Sequence, residues 1–157
     1  MDDRKPVAME PAPVLTAEHE LLNIFLGRWK VEGQNKAAAP VAPNTPVVGE
    51  ESYEWLPGRF FVVYYWNRHF GDNAHLGIGT IGYDPVKHTY TMQNYDNMGY
   101  ARTYTGGLNN GIWLFTGDNE RVTIAFEGDG TMKAKWDILS DDSDWLPLCE
   151  LTETKIK

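Results

Sequence analysis

Leu26-Gly27-Arg28-Trp29-Lys30-Val31 is the point at which this chain changes period, from a helical stripe to strand alternation. Upstream, Thr16 is a good N-cap, and Glu18 and Glu20 put negative charge in the first turn, where the helix dipole favours it. Leu21, Leu22, Phe25 and Leu26 recur at i, i+3 and i+4 spacing and form one apolar stripe. Gly27 stands where a left-handed residue ends a helix. The expectation is one short helix, followed at once by a strand that carries Trp29.

Downstream, the chain reads as a meander. Apolar and aromatic alternation predicts strands near 28–34, 47–56, 60–68, 75–84, 89–96, 100–105, 112–116, 121–127, 131–139 and 148–155. Turn chemistry separates them: Pro57-Gly58, Gly71-Asp72-Asn73, Asp84-Pro85, Asn97-Met98-Gly99, Asn109-Asn110-Gly111, Gly117-Asp118-Asn119 and Gly128-Asp129-Gly130. Links this short join antiparallel neighbours, whereas a parallel pair needs a crossover of about a dozen residues. Closing such a meander on itself leaves no sheet edge unpaired. The fold expected is therefore all-β, a closed antiparallel up-and-down barrel of about ten strands with one short N-terminal helix capping an end. Residues 1–15, rich in Pro and Ala, are expected to be a disordered tail, and residues 16–157 a single domain. The one long link, residues 36–46, contains three prolines that forbid a regular helix or a central strand. It would lie near one mouth of the barrel, either as a lid or as a tolerated surface insertion.

Composition sets further bounds. The 157 residues suit one domain, and 42% hydrophobic with 13% aromatic residues are enough for a core, which excludes a wholly disordered chain. A net charge of -8 disfavours nucleic acid and anionic membrane surfaces, which require clustered Lys and Arg. Cys149 is alone, so no internal disulfide is expected, and it reads as a buried structural thiol. No apolar run approaches the roughly 20 residues of a transmembrane helix. Met1-Asp2-Asp3-Arg4-Lys5-Pro6 leads into Ala, Pro and Glu rather than the apolar run of a secretory signal, so the expected location is cytoplasmic.

Most motifs that carry chemistry fail on context. Gly77-Ile78-Gly79-Thr80-Ile81-Gly82 has the dinucleotide spacing, but Tyr83-Asp84-Pro85 turns the chain where a helix must begin. Gly77 and Gly79 instead share one strand face and leave space there for a bulky neighbour or a ligand. His19-Glu20-Leu21-Leu22-Asn23 lacks the second histidine of a zinc helix. His69 and His75 flank a tight turn and could meet across a hairpin, but no third or fourth ligand lies nearby, so no metal is expected. Asp141-Asp142-Ser143-Asp144 lacks the Gly and distal Glu of a calcium loop. Ser52, Ser140 and Ser143 sit in no nucleophile elbow.

The aromatic residues are the remaining signal. Residues 60–66 are apolar or aromatic throughout, which predicts a strand covered on both faces. Tyr and Trp carry polar handles that suit a cavity for an amphipathic molecule better than a solid core. The cavity candidates are Tyr64, Trp66, Gly77, Gly79, Tyr90, Met92, Tyr100, Arg102, Trp113 and Trp136, with Gly27 and Trp29 as structural residues. The strand-borne charges Glu54, Arg102 and Glu150 either face inward as polar fixtures or point out to water.

Gly27-Arg28-Trp29 after a short helix resembles the opening of the calycin superfamily, which includes lipocalins, fatty-acid-binding proteins and nitrobindins. Gly82-Tyr83-Asp84-Pro85 and Lys87-His88-Thr89-Tyr90 are more specifically similar to a bacterial lipocalin-like family of unknown function. The resemblance implies a barrel plugged by the helix, with Trp29 at the closed end beneath a basic residue of the last strand such as Lys155. Nitrobindins bind haem through a His near the C-terminus; no histidine follows His88 here, so haem is disfavoured and no cofactor is expected. The functional expectation is a non-catalytic barrel that binds one small apolar or amphipathic ligand. Two alternatives stay open: an acid–base enzyme of isomerase or cyclase type using Glu54, Arg102 or Tyr groups, and a homodimeric interaction module without ligand, paired through the 60–66 strand.

Overall fold

Thr16 opens the first turn by a reciprocal contact, its N–H donating to His19 Nδ1 at 3.0 Å while its hydroxyl lies 2.9 Å from the same nitrogen. In the computed structural model of the chain, which describes residues 3–6, 10–128 and 130–157, this turn is α1, Ala17–Glu20, and it tightens into a 3-10 segment over Leu21–Phe25. A 3-10 segment advances three residues per turn, so the buried stripe runs through His19, Leu22 and Phe25. Leu21, expected on that stripe, points to solvent and is 48% exposed. Gly27 then takes φ +122°, a backbone state that a side chain would strain, and the chain enters the sheet.

Ten strands follow: β1 (Gly27–Asn35), β2 (Pro46–Trp55), β3 (Phe61–Phe70), β4 (Asn73–Asp84), β5 (Thr89–Asp96), β6 (Ala101–Asn109), β7 (Ile112–Thr116), β8 (Glu120–Glu127), β9 (Thr131–Leu139) and β10 (Trp145–Lys155). Each pairs with the next antiparallel, and β1 also pairs antiparallel with β10, from Trp29 opposite Lys155 to Asn35 opposite Cys149. The barrel is therefore closed, and every expected strand is present. Most ends fall within two residues of expectation, and two differ by more. β6 runs on to Asn109 because Asn110 and Gly111, with φ 52° and 79°, form the two-residue turn into β7. β10 begins at Trp145, with the register slipping between Pro147 and Cys149, since a proline has no N–H for the ladder.

Met1, Asp2, Val7, Ala8 and Met9 of the tail expected at 1–15, and Asp129 of the turn after β8, lie outside the described residues. Among the described residues no helix is long and apolar enough to cross a membrane. The outer face of β3 is open: Phe61 and Tyr65 are 47% and 45% exposed, whereas Val62, Tyr64 and Trp66 are buried inside. Coverage on both faces does not occur, because an up-and-down barrel has one interior and nothing described lies over the outside of this strand.

The helical segment seals one end. Phe25 packs its ring against Tyr53, Trp113 and Phe126 at centroid distances of 5.7, 5.2 and 5.1 Å. Trp29 is 2% exposed and donates its Nε1–H to the Phe25 carbonyl at 2.9 Å, tying β1 to the plug. Lys155 Nζ stands 5.6 Å from the Trp29 ring centre, the basic cover that the family resemblance implied. Tyr90 Oη donates to the Glu18 carbonyl at 2.6 Å from the opposite wall. Truncating a buried Trp costs about 3–5 kcal/mol, and in a domain of this size 1 kcal/mol moves Tm by about 2–4 °C. Trp29→Ala is therefore expected to lower Tm by roughly 6–20 °C in thermal melts. Trp145→Ala, which removes a half-buried ring stacked 4.6 Å from Arg121, is expected to lose less than half as much. Equal losses would contradict the sealing role of Trp29.

Candidate functional site

Plugging one end leaves the other end of the interior unfilled. A cavity of about 660 Å³ opens there, a volume typical of sites for small organic ligands. Strand alternation decides what lines it. β3 turns Tyr64, Trp66 and Arg68 inward; β5 turns Met92, Asn94 and Asp96; β6 turns Arg102; β8 turns Glu120 and Val122; β9 turns Ala134 and Trp136; β10 turns Cys149 and Glu153. Ala39, Pro40 and Val41 of the long link also line the cavity. Asn35 holds that link in place, donating its side-chain N–H groups to the carbonyls of Ala37, Val41 and Ala42 at 2.7, 3.1 and 3.0 Å.

The ten candidates divide into three groups. Tyr64, Trp66, Met92, Tyr100, Arg102 and Trp136 line the cavity. Gly77 and Gly79 stand opposite Trp66 and Tyr64 in the β3–β4 ladder, and a Cβ at either would collide with the neighbouring ring. The space these glycines leave is taken by the two rings, which can then lie flat along the wall. Tyr90 and Trp113 pack deeper, 4.9 Å apart by ring centroids, against the plug rather than the cavity. His69 and His75 do not meet, because they fall on opposite faces of their hairpin: His69 is exposed and His75 faces the cavity. Glu54 and Glu150 are exposed, and of the three strand-borne charges only Arg102 faces the cavity.

Several polar groups that the sequence does not single out, Glu51, Arg68 and Glu120 among them, join those it does. Glu51 and Arg68, 2% and 8% exposed, form an ion pair through Oε1 and Nη2 behind Trp66. Burial alone would lower the Arg68 pKa, but the adjacent Glu51 carboxylate holds it above its usual value. Near the mouth Arg102 Nη1 lies 3.3 Å from Glu120 Oε1, and Tyr104 Oη donates to Glu120 Oε2 at 2.9 Å. Burial, then the Glu120 charge, pushes the Tyr104 phenol up. Tyr64 donates its hydroxyl to the Asn94 side-chain oxygen. His75 Nε2 lies 3.1 Å from Asp96 Oδ2; burial lowers the imidazole pKa despite that bond, so the ring is neutral at pH 7. Cys149 is a buried thiol whose pKa burial pushes up to about 12, which makes it a poor nucleophile.

Four buried polar atoms have no hydrogen-bond partner among the described residues: Glu51 Oε2, Trp66 Nε1, Arg68 Nε and Glu153 Oε1. Leaving one such group unpaired costs about 1–3 kcal/mol, so four inside one barrel is an unusual concentration. Among the described residues no three His, Cys, Asp or Glu side chains stand close enough to hold a metal ion. The residues present can accept and donate hydrogen bonds, stack on rings and carry charge.

A ten-stranded antiparallel barrel, plugged at one end and hollow at the other, is the class of protein that fold and site define. The chain belongs to the family described as "Protein of unknown function (DUF1579)", which matches residues 15–153. No curated protein matches it. Among solved structures it is similar to the one titled "Crystal Structure of Rv2717c from M. tuberculosis", with TM-score 0.70 and 12% identity over 92% of this chain and 100% of that chain. At that identity the likeness shows the barrel fold alone.

The buried pair gives a direct test of the interior's electrostatics. Removing one partner of a buried ion pair typically costs about 3–5 kcal/mol, because the other charge is stranded, whereas apolar replacement of both is often near neutral. Arg68→Met is expected to be destabilising by that amount in urea melts, and adding Glu51→Leu should recover more than half of the loss. A double variant no more stable than Arg68→Met would show that Glu51 and Arg68 are not coupled.

Proposed function

We propose that this protein is a non-catalytic carrier or sensor of one small amphipathic molecule, held in the open half of the barrel. The observation that carries this reading is the cavity itself: about 660 Å³, walled by aromatic rings and ending on buried polar atoms without partners. A hollow costs stability through lost contacts, and a buried polar atom without a partner costs more. An occupant that is apolar along its length and polar at one point removes both penalties. The proposal includes the finer kinship with lipocalins, nitrobindins and fatty-acid-binding proteins, all barrels of this type. Haem is not the ligand proposed, since His75, the one histidine among the described lining residues, gives Nε2 to Asp96. We also propose a cytoplasmic location.

A second reading, an acid–base enzyme, has one observation in its favour: the neutral His75 beside Asp96 on the cavity wall is arranged as a general base. Conversion of a bound molecule by the wild-type protein, lost in His75→Gln, would favour it over simple binding.

Ala134 tests the carrier reading, because it lines the cavity and is only 5% exposed. Nile red, an uncharged dye that brightens in apolar surroundings, is expected to bind saturably with one-to-one stoichiometry. Ala134→Phe should weaken that binding about tenfold while moving Tm by only a few degrees, since overpacking costs about 1–3 kcal/mol only where no space exists. No saturable signal, or an Ala134→Phe variant that binds normally yet unfolds easily, would contradict a hollow interior.

A further inference from the structure

Glu153 is the least explained carboxyl among the described residues. Its side chain is 2% exposed and lines the cavity from β10, and its Oε1 has no hydrogen-bond partner among the described residues. Its cross-strand neighbours are Val31 on β1 and Met132 on β9, both fully buried and neither able to donate a hydrogen bond. The cations of the wall are committed elsewhere: Arg68 to Glu51, and Arg102 to Glu120. Counting Glu51 behind Arg68, five carboxylates (Glu51, Asp72, Asp96, Glu120 and Glu153) face two guanidinium groups among the described residues. Asp96 has only the neutral His75 and the N–H groups of Met98 and Tyr100 as partners. An anionic head group would therefore meet more carboxyl groups than cations, with both guanidiniums facing carboxylates and only Arg68 Nε and Trp66 Nε1 left as unpartnered buried donors among the described residues.

We infer that the ligand of this cavity carries a positively charged head group on an apolar or aromatic body, and that Glu153 is its counter-ion. The inference rests on the carrier reading and names the chemical class of its ligand: an amine, amidinium or quaternary ammonium amphiphile, not a fatty acid. An ammonium group at Glu153 supplies the opposite charge that the carboxylate lacks, in surroundings where water does not screen it. Tyr53, Tyr64, Trp66 and Trp136 line the same space, and the face of an aromatic ring attracts a cation and not an anion.

The experiment is a set of displacement titrations at pH 7, with Nile red as the shared reporter. The competitors are dodecyltrimethylammonium and dodecanoate, both below their micelle concentrations. Dodecyltrimethylammonium is expected to displace the dye at a concentration about tenfold or more below that of dodecanoate, a difference of about 1.4 kcal/mol. Glu153→Gln should bring the two competitors within about threefold of each other, while Glu54→Gln, an exposed carboxylate on the outer face of β2, should leave the ratio unchanged. Dodecanoate equal to or better than the cation on the wild-type protein overturns the inference and leaves the carrier reading intact. A preference for the cation that survives in folded Glu153→Gln overturns the role of Glu153. If that variant does not fold, the wild-type ratio decides. Nile red that never binds overturns the inference and the carrier reading together.

Discussion

Pairing of the first strand with the last governs everything inside this molecule. Seven residue pairs, from Trp29 with Lys155 to Asn35 with Cys149, turn a ten-stranded meander into a ring with no free edge. Closure fixes the interior width before any side chain is chosen. Eight strands give a barrel that side chains fill or that holds one small ligand, and ten strands give more room. The chain fills one half of that room with a plug built from Leu22, Phe25 and Trp29 and the rings around them. It does not fill the other half. The cavity is thus a consequence of strand number and of a helical segment too short to reach across.

The two halves of the interior follow different rules. Around the plug, polar handles are satisfied: Trp29 by the Phe25 carbonyl, and Tyr90 by the Glu18 carbonyl. Elsewhere in the interior, Glu51, Trp66, Arg68 and Glu153 each leave one buried polar atom without a partner among the described residues. A chain selected for stability alone would place apolar residues there, since replacing a buried ion pair by hydrophobes is commonly neutral or stabilising. Departures from local rules that cluster at one place, while the rest of the molecule obeys them, mark a site selected for something other than folding.

The meander is legible because its hairpins depend on features that are local in sequence, and closure follows from leaving no edge unpaired. Asn110-Gly111 writes a two-residue hairpin turn, Pro57-Gly58 the centre of a β-turn in a longer link, and period-two aromatic spacing runs between them. All ten strands are present, with most ends within two residues of expectation and the larger differences at the Pro147 bulge and the β6–β7 hairpin. The site was half legible. Placing Tyr64 and Trp66 inward obliges Arg68 to be inward as well, two residues further on the same strand, and Tyr53 carries Glu51 with it. The usual exposure of charged residues hides that step, a tendency that holds for Glu54 and Glu150 and fails for Glu51 and Arg68. Gly77 and Gly79 correctly announced a missing volume, but which partner fills it depends on cross-strand register with Trp66 and Tyr64. His19 entered the buried stripe in place of Leu21 because a 3-10 turn has a different period from the helix expected.

The most direct measurement of this account is a high-resolution crystal structure of the protein with its ordered solvent or any co-purified molecule retained. The account predicts density inside the open half of the barrel within hydrogen-bond distance of Trp66 Nε1, Arg68 Nε and Glu153 Oε1. An interior in which Tyr64, Trp66 and Trp136 have closed over that space, with Glu153 bonded to another side chain, would contradict it.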